Sequence, residues 1–258
     1  MKISIVMAYY NREALLYSTL QSIARSKHSD VEIIVVDDGS DEEQRVEHLT
    51  ETFPFLQVVN MDSPKSHINP CLPYNKAIAC AKGDVVVIQN PECLHVHDIL
   101  THVAENITDN LIVSFSAYAI NEDFNQKVGR FAAEKTFPIY FETLPDRVFK
   151  NGLGWYNHSI HRPVYYHFCL AMTKRNLDRL GGFDERFADG YCFDDDEFVM
   201  RIKRLGIPFI IEDSISVIHQ WHEKHKIPNQ QALWQKNKKL YQQISKESTI
   251  KTTNRYAN

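Results

Sequence analysis

Val31-Glu32-Ile33-Ile34-Val35-Val36-Asp37-Asp38-Gly39-Ser40 is a nearly continuous apolar run that stops at two adjacent carboxylates, a glycine and a serine. A short β-branched run of this kind suits a strand buried on both faces, and Asp-Asp-Gly-Ser supplies turn chemistry at its end. Upstream, Ile3 to Ala8 is apolar apart from Ser4; Asn11-Arg12-Glu13 follows, then Leu15, Leu16, Leu20 and Ile23 at helical spacing. Strand, loop, helix and second strand within roughly 30 residues make a βαβ unit.

Downstream, Glu42 to Phe53 reads as a helix, Leu56 to Val59 as a strand, Asn75 to Ala81 as a helix and Val85 to Ile88 as a strand. Four strands alternating with helices predict an α/β fold on a mostly parallel sheet. After Ile112 to Phe115 the alternation fades into an irregular, aromatic-rich stretch that includes Trp155, Tyr156 and His158; such stretches are often functional. Further strands are expected at Val164 to Met172, Ile207 to Ile211 and Ile215 to Ile218, with helices at Lys174 to Leu180 and at Phe198 to Leu205 before Gly206. From Pro228 the chain turns polar, but Leu233, Leu240, Tyr241 and Ile244 form a narrow stripe, interrupted by Asn237, on an expected helix. The last dozen residues look frayed.

The 258 residues carry a net charge of −4, with 43% hydrophobic and 24% charged residues, which excludes disordered and membrane-spanning classes and gives no global reason to bind nucleic acid. The five cysteines lack metal-ligand spacing, so a reducing, cytoplasmic setting is expected. The opening run reads as a first strand rather than a leader, and no membrane span is expected.

Ligands of open parallel sheets bind beyond the carboxyl ends of the strands. Tyr9-Tyr10-Asn11, Asp37-Asp38 and Gln89-Asn90-Pro91-Glu92 fall there, and none carries a Gly-rich dinucleotide or Walker signature. Carboxylates beside phosphates need a cation between them, unless they face a base or sugar. Asp37-Asp38-Gly39-Ser40 reads equally as a plain turn. Asp194-Asp195-Asp196-Glu197 would repel one another unless a cation or hydroxyls relieve them, or unless they simply start a helix. His219, His222 and His225 fit either a metal site with carboxylates or ordinary structural histidines.

Taken in order, ISIVMAYYNRE, EIIVVDDGS and GGFDERFADGYCFDDDEFVMRIKRLG resemble the GT-A fold glycosyltransferases, particularly the family-2-like enzymes and the related galactosyltransferase and polypeptide N-acetylgalactosaminyltransferase groups. The resemblance implies a GT-A (Rossmann-like) domain over residues 1–226, with a nucleotide-binding half at 1–115, an acceptor and catalytic half at 116–226, and a C-terminal helix and tail at 227–258. It implies a UDP-sugar donor, a hydroxyl acceptor on a glycan, protein or other compound, and Mn²⁺ or Mg²⁺. Ala8 and Tyr10 would border the uracil, Asp38 would accept from its N3–H, and Asn75 and Asn90 would lie near the nucleotide, with Gly182 beside the donor sugar. Asp195 falls where inverting members have their general base, with Asp194 beside it holding the acceptor hydroxyl. The family's Asp-x-Asp metal motif corresponds to Asn90-Pro91-Glu92, which leaves Glu92 and His219 as the implied metal ligands and His222 as the alternative histidine. Two rival readings are a nucleotide-sugar binder with weak or no catalysis and a sugar-phosphate nucleotidyltransferase; YYNRE is a poor match to the Gly-rich basic loop the latter needs.

Overall fold

The computed structural model describes residues 1–61, 65, 67–134, 141–223 and 226–254, of which 129–134 by backbone only. His225 and part of the aromatic-rich stretch therefore lie outside the described residues. In chain order the elements are β1 (Ile3–Tyr9), α1 (Glu13–Ile23), β2 (Val31–Asp37), α2 (Leu49–Thr52), β3 (Leu56–Asn60), α3 (Cys71–Cys80), β4 (Val85–Gln89), β5 (Cys93–His95), α4 (Ile99–Asn106), β6 (Ile112–Ala119), α5 (Glu122–Glu134), β7 (Gly154–Asn157), β8 (Cys169–Thr173), α6 (Lys174–Leu180), α7 (Asp194–Arg204), β9 (Phe209–His219) and α8 (Gln230–Ile244). The sheet runs β3-β2-β1-β4-β8-β6-β9-β5, with β7 paired to β6. Six strands run one way; β5, β7 and β8 oppose them. The sheet is mixed and mostly parallel, as expected.

Alternation along the strands splits the core between two faces. Ile3, Ile5, Met7, Ile33 and Val35 enter one cluster, while Val6, Ile34, Val36, Val86 and Ile88 enter the other. A strand apolar on both faces therefore has helices on both, and each buried Val or Ile contributes roughly 1.5–3 kcal/mol. Strand order reverses between β1 and β4, which opens a crevice at their carboxyl ends. No helix among the described residues is long and apolar enough to cross a membrane.

Four expected elements differ. Residues 42–53 form a 3₁₀ turn at Glu42–Gln44 and a single turn at α2, with extended backbone at Arg45 between them. The Tyr9 hydroxyl donates to the Gln44 carbonyl, and Gln44 Oε1 accepts from the Glu13 amide, so Gln44 serves the start of α1 instead of continuing a helix. The stretch after Phe115 is less irregular than expected, since β6 continues to Ala119 and α5 and β7 follow. Only Cys169–Thr173 of the expected Val164 strand pairs, with Tyr165 in left-handed backbone before it. The two late strands are one, β9, with a register shift opposite Phe115 and Ser116.

The tail is anchored rather than frayed as far as residue 254. The Thr252 amide donates to the Leu180 carbonyl at 3.0 Å and Asn254 Nδ2 to the Phe183 carbonyl at 2.6 Å. Asn237, which breaks the apolar stripe of α8, is fully buried and donates through Nδ2 to the Cys192 carbonyl at 2.9 Å and the Phe187 carbonyl at 3.1 Å.

Candidate active site

A cavity of about 320 Å³ opens at the carboxyl ends of β1, β2 and β4, closed on the far side by the segment leading into α7. Ala8, Tyr10, Asp38, Asn90, Glu92, Asp194 and Asp195 all line it, together with Arg12, Lys65, Asn69, Tyr74, His167 and Tyr191. Seven of the sequence-derived site residues thus meet in one place.

At one end, Asp38 is buried and its carboxylate is engaged twice. Lys65 Nζ contacts Oδ2, and His67 Nε2 lies 2.7 Å from Oδ1. Lys65 also sits over the Tyr10 ring, 4.5 Å from its centroid. Lys65 and His67 escaped the sequence reading, because nothing in their spacing ties them to a strand 30 residues earlier.

Glu92 marks the second corner. Antiparallel pairing of β5 with β9 sets Cys93 opposite His219, and the Gln220 amide donates to the Glu92 carbonyl at 3.1 Å. Three groups converge on Glu92 Oε1: Arg12 Nη1 at 2.9 Å, His219 Nε2 at 3.2 Å and His222 Nε2 at 3.4 Å. Burial works to raise this carboxyl, but the Arg12 guanidinium, then the two imidazoles, hold it well below the usual carboxylate range. Glu92 Oε2 is buried with no hydrogen-bond partner among the described residues, and the ligand atoms of Glu92, His219 and His222 lie within 4.8 Å of one another. An orphaned carboxylate oxygen beside two imidazoles is a donor set that fits Mn²⁺, with Arg12 as an internal rival cation. Asn90 carries no charge, and its Oδ1 accepts from the Tyr74 hydroxyl at 3.0 Å.

The third corner is the start of α7, approached through Cys192 and Phe193, both in left-handed backbone at φ 62° and 69°. Two consecutive non-glycine residues there are strained, and the fold must hold them. Asn237 binds the Cys192 carbonyl, while Trp234 and Tyr241 flank the Phe193 ring at 5.4 and 5.6 Å. The three aspartates that follow have separate partners. Asp194 is buried and accepts from Asn69 Nδ2 at 2.6 Å; burial and the charge of Asp195 push its carboxyl up to about 6. Asp195 Oδ1 lies 2.6 Å from His167 Nδ1. Asp196 accepts from the Tyr166 hydroxyl at 2.8 Å and turns into a separate groove with Val199, Met200 and Tyr241. Glu197 pairs with Arg201 inside the protein, and Arg201 also donates to the Leu180 and Gly182 carbonyls.

Asn75 and Gly182 stand apart from this cavity and line another with Lys174 and Lys251. The Asn75 carboxamide is committed within the fold: Oδ1 accepts from the Phe183 amide at 2.8 Å, and Nδ2 donates to the Phe183 carbonyl at 2.9 Å and to Glu185 Oε1 at 3.0 Å. Gly182, at φ +76°, is needed for that clasp, since a Cβ there would sit 2.4 Å from Asn75 Oδ1.

Residues 4–177 match the family Glycosyl transferase family 2. The chain is 22% identical over 265 aligned positions to the uncharacterized glycosyltransferase YfnE of Bacillus subtilis, an alignment that covers 86% of this chain and 65% of YfnE, so the chain spans less than two thirds of that relative. Among solved structures it is similar to residues 1–349 of S. aureus TarS in complex with UDP-GlcNAc, with TM-score 0.59, 17% identity and coverage of 89% of this chain and 61% of that fragment. The mannosyltransferase PcManGT from Pyrobaculum calidifontis, solved with GDP-Man and Mn²⁺, gives TM-score 0.56, 18% identity and coverage of 86% and 58%. Fold and family match, spanning well over half of the sequence and including the strand ends that carry Asp38 and Glu92, lead to one conclusion: the chain belongs to glycosyl transferase family 2.

Proposed function

We propose that the chain transfers a sugar from a UDP-sugar to an acceptor hydroxyl, with inversion at the anomeric carbon and Asp195 as general base. The observation that carries this reading is the single cavity in which Asp38, Glu92 and Asp195 face one another from three separate segments. Asp38 and Tyr10 would hold the nucleobase. Asp195, about one third exposed, would take the acceptor proton as the acceptor oxygen bonds to the anomeric carbon and the bond to the diphosphate oxygen breaks, its electron pair leaving with the diphosphate. Asp194, with its carboxyl raised, would hold the acceptor hydroxyl. Mn²⁺ bound at Glu92, His219 and His222 would offset charge on the departing diphosphate. Hexosyl and N-acetylhexosaminyl donors on a glycan, protein or other hydroxyl acceptor are the expected substrate class.

One observation favours a second reading, a nucleotide-sugar binder with little turnover: Arg12 already neutralises Glu92, and Asn90 supplies no second carboxylate. A panel of UDP- and GDP-sugars, scored by thermal stabilisation with and without Mn²⁺ and then by donor hydrolysis, tests both. Stabilisation by a UDP-sugar followed by Mn²⁺-dependent hydrolysis supports the transferase, stabilisation without hydrolysis supports the binder, and no stabilisation by any donor overturns both. Ligand at about 100 times its dissociation constant adds roughly 2.7 kcal/mol, well within reach of such a screen.

A further inference from the structure

His167 is buried between Tyr74 and Phe183, whose rings meet it at 4.9 Å each. Its Nδ1 lies 2.6 Å from Asp195 Oδ1, within ion-pair distance though off the line of an aligned hydrogen bond, and has no hydrogen-bond partner among the described residues. Asp195 Oδ2 is likewise uncommitted among them. A buried imidazole nitrogen aimed only at the carboxylate that faces the cavity has no packing reason to be polar, since Phe or Leu would fill the aromatic slot without a desolvation cost.

Resting on the reading of Asp195 as general base, we propose that His167 is its positioning residue: it fixes one carboxylate oxygen and turns the other to the acceptor hydroxyl. The groups that face His167 are Asp195 and Asp194 from α7, Glu92 from the loop between β4 and β5, and the neutral Tyr74 from α3. Burial opposes protonation of the imidazole, but Asp195 first, then Asp194 and Glu92, outweigh it and raise its affinity for a proton.

Two measurements test this. In protein labelled at histidine Cε1, the His167 resonance, identified by its loss in His167→Asn, should titrate above the range of free histidine. Its midpoint should fall by about one pH unit or more in Asp195→Asn, because an opposite charge within hydrogen-bond distance shifts a pKa by that much. A midpoint unchanged by Asp195→Asn overturns the pairing, and this result does not depend on the His167→Phe protein. In donor turnover with UDP-GlcNAc or UDP-glucose, His167→Phe should lower kcat by about tenfold or more with KM for the donor unchanged. His167→Asn, whose amide can donate from nearly the Nδ1 position, should recover part of kcat. A His167→Phe protein of normal Tm with wild-type kcat overturns the positioning role. Full turnover in Asp195→Asn, by contrast, sinks the base assignment while leaving the His167 to Asp195 coupling to stand or fall by the resonance titration.

Discussion

Asp194, Asp195 and Asp196 stand at the positive end of one helix dipole, yet Asn69 holds the buried Asp194 at the cavity wall, His167 meets Asp195 at the same cavity, and Tyr166 draws Asp196 into a separate groove. Only Asp195 combines contact with the cavity and partial exposure, so Asp195→Asn should lower turnover by about two to four orders of magnitude while donor affinity changes only a few-fold. Steady-state rates with calorimetric donor binding check this, and undiminished turnover moves the base to a neighbour. Asp194 makes a separate prediction through pH. Its folded-state value of about 6 lies above the ordinary 3.8, so the native state holds this proton more tightly than the unfolded chain does. The resulting stabilisation is complete below about pH 4 and is lost as pH rises through about 6. Asn at position 194 cannot lose it. The Tm of Asp194→Asn should therefore gain on wild type between pH 4 and pH 7, and a constant difference across that window refutes the raised value.

At the scale of elements, α8 braces the segment leading into α7 through the Trp234 and Tyr241 rings and through the buried Asn237. Asn237 reaches between the Phe187 and Cys192 carbonyls, and Gly190 leaves it room: a Cβ there would lie 2.0 Å from Asn237 Oδ1. Gly190 is absent from the positive-φ positions, so alanine is allowed by its backbone and the penalty comes from contact with Asn237. Gly190→Ala should cost several kcal/mol in wild type and much less in an Asn237→Ala background, where the obstructing amide is gone. Asn237→Ala alone should cost roughly 1–3 kcal/mol for the carbonyls left without a donor. Denaturant melts of the four proteins measure the coupling, and strict additivity would mean that the two residues do not share this space.

For the whole molecule, the Glu92 corner depends on strand pairing, because His219 and His222 reach Glu92 only when β9 lies against β5 at the sheet edge. With one carboxylate and a competing Arg12, Mn²⁺ alone should bind weakly, and the diphosphate of UDP should supply the missing anionic ligands. Mn²⁺ and UDP should therefore bind cooperatively. Glu92→Gln and His219→Ala should each abolish the cooperativity and leave metal-free UDP binding largely intact. Calorimetric titration of UDP with and without Mn²⁺ decides, and equal affinities in the wild type remove the metal from the site.

What the chain determined locally is the βαβ frame. Ile3–Tyr9, Val31–Asp37 and Val85–Gln89 are apolar on both faces, and such runs can only be interior parallel strands, so the polar residues at their ends had to converge on one edge. Asp38 and Glu92 were legible as candidates for that reason and through the family resemblance, and Asp195 through the run of four acids and the same resemblance. Partners that belong to no period were not legible: Arg12 on Glu92, Lys65 and His67 on Asp38, His167 on Asp195 and Asn237 under Cys192 all act across long stretches of chain. Asn75 shows the converse, since its place in the sequence suggested the nucleotide while packing committed it to the Phe183 backbone. Hydrophobic periodicity reports which face of an element is buried, because burial is a property of one element against the rest. Hydrogen bonds and ion pairs are directional and pairwise, so who meets whom was decided only once the sheet had set the register.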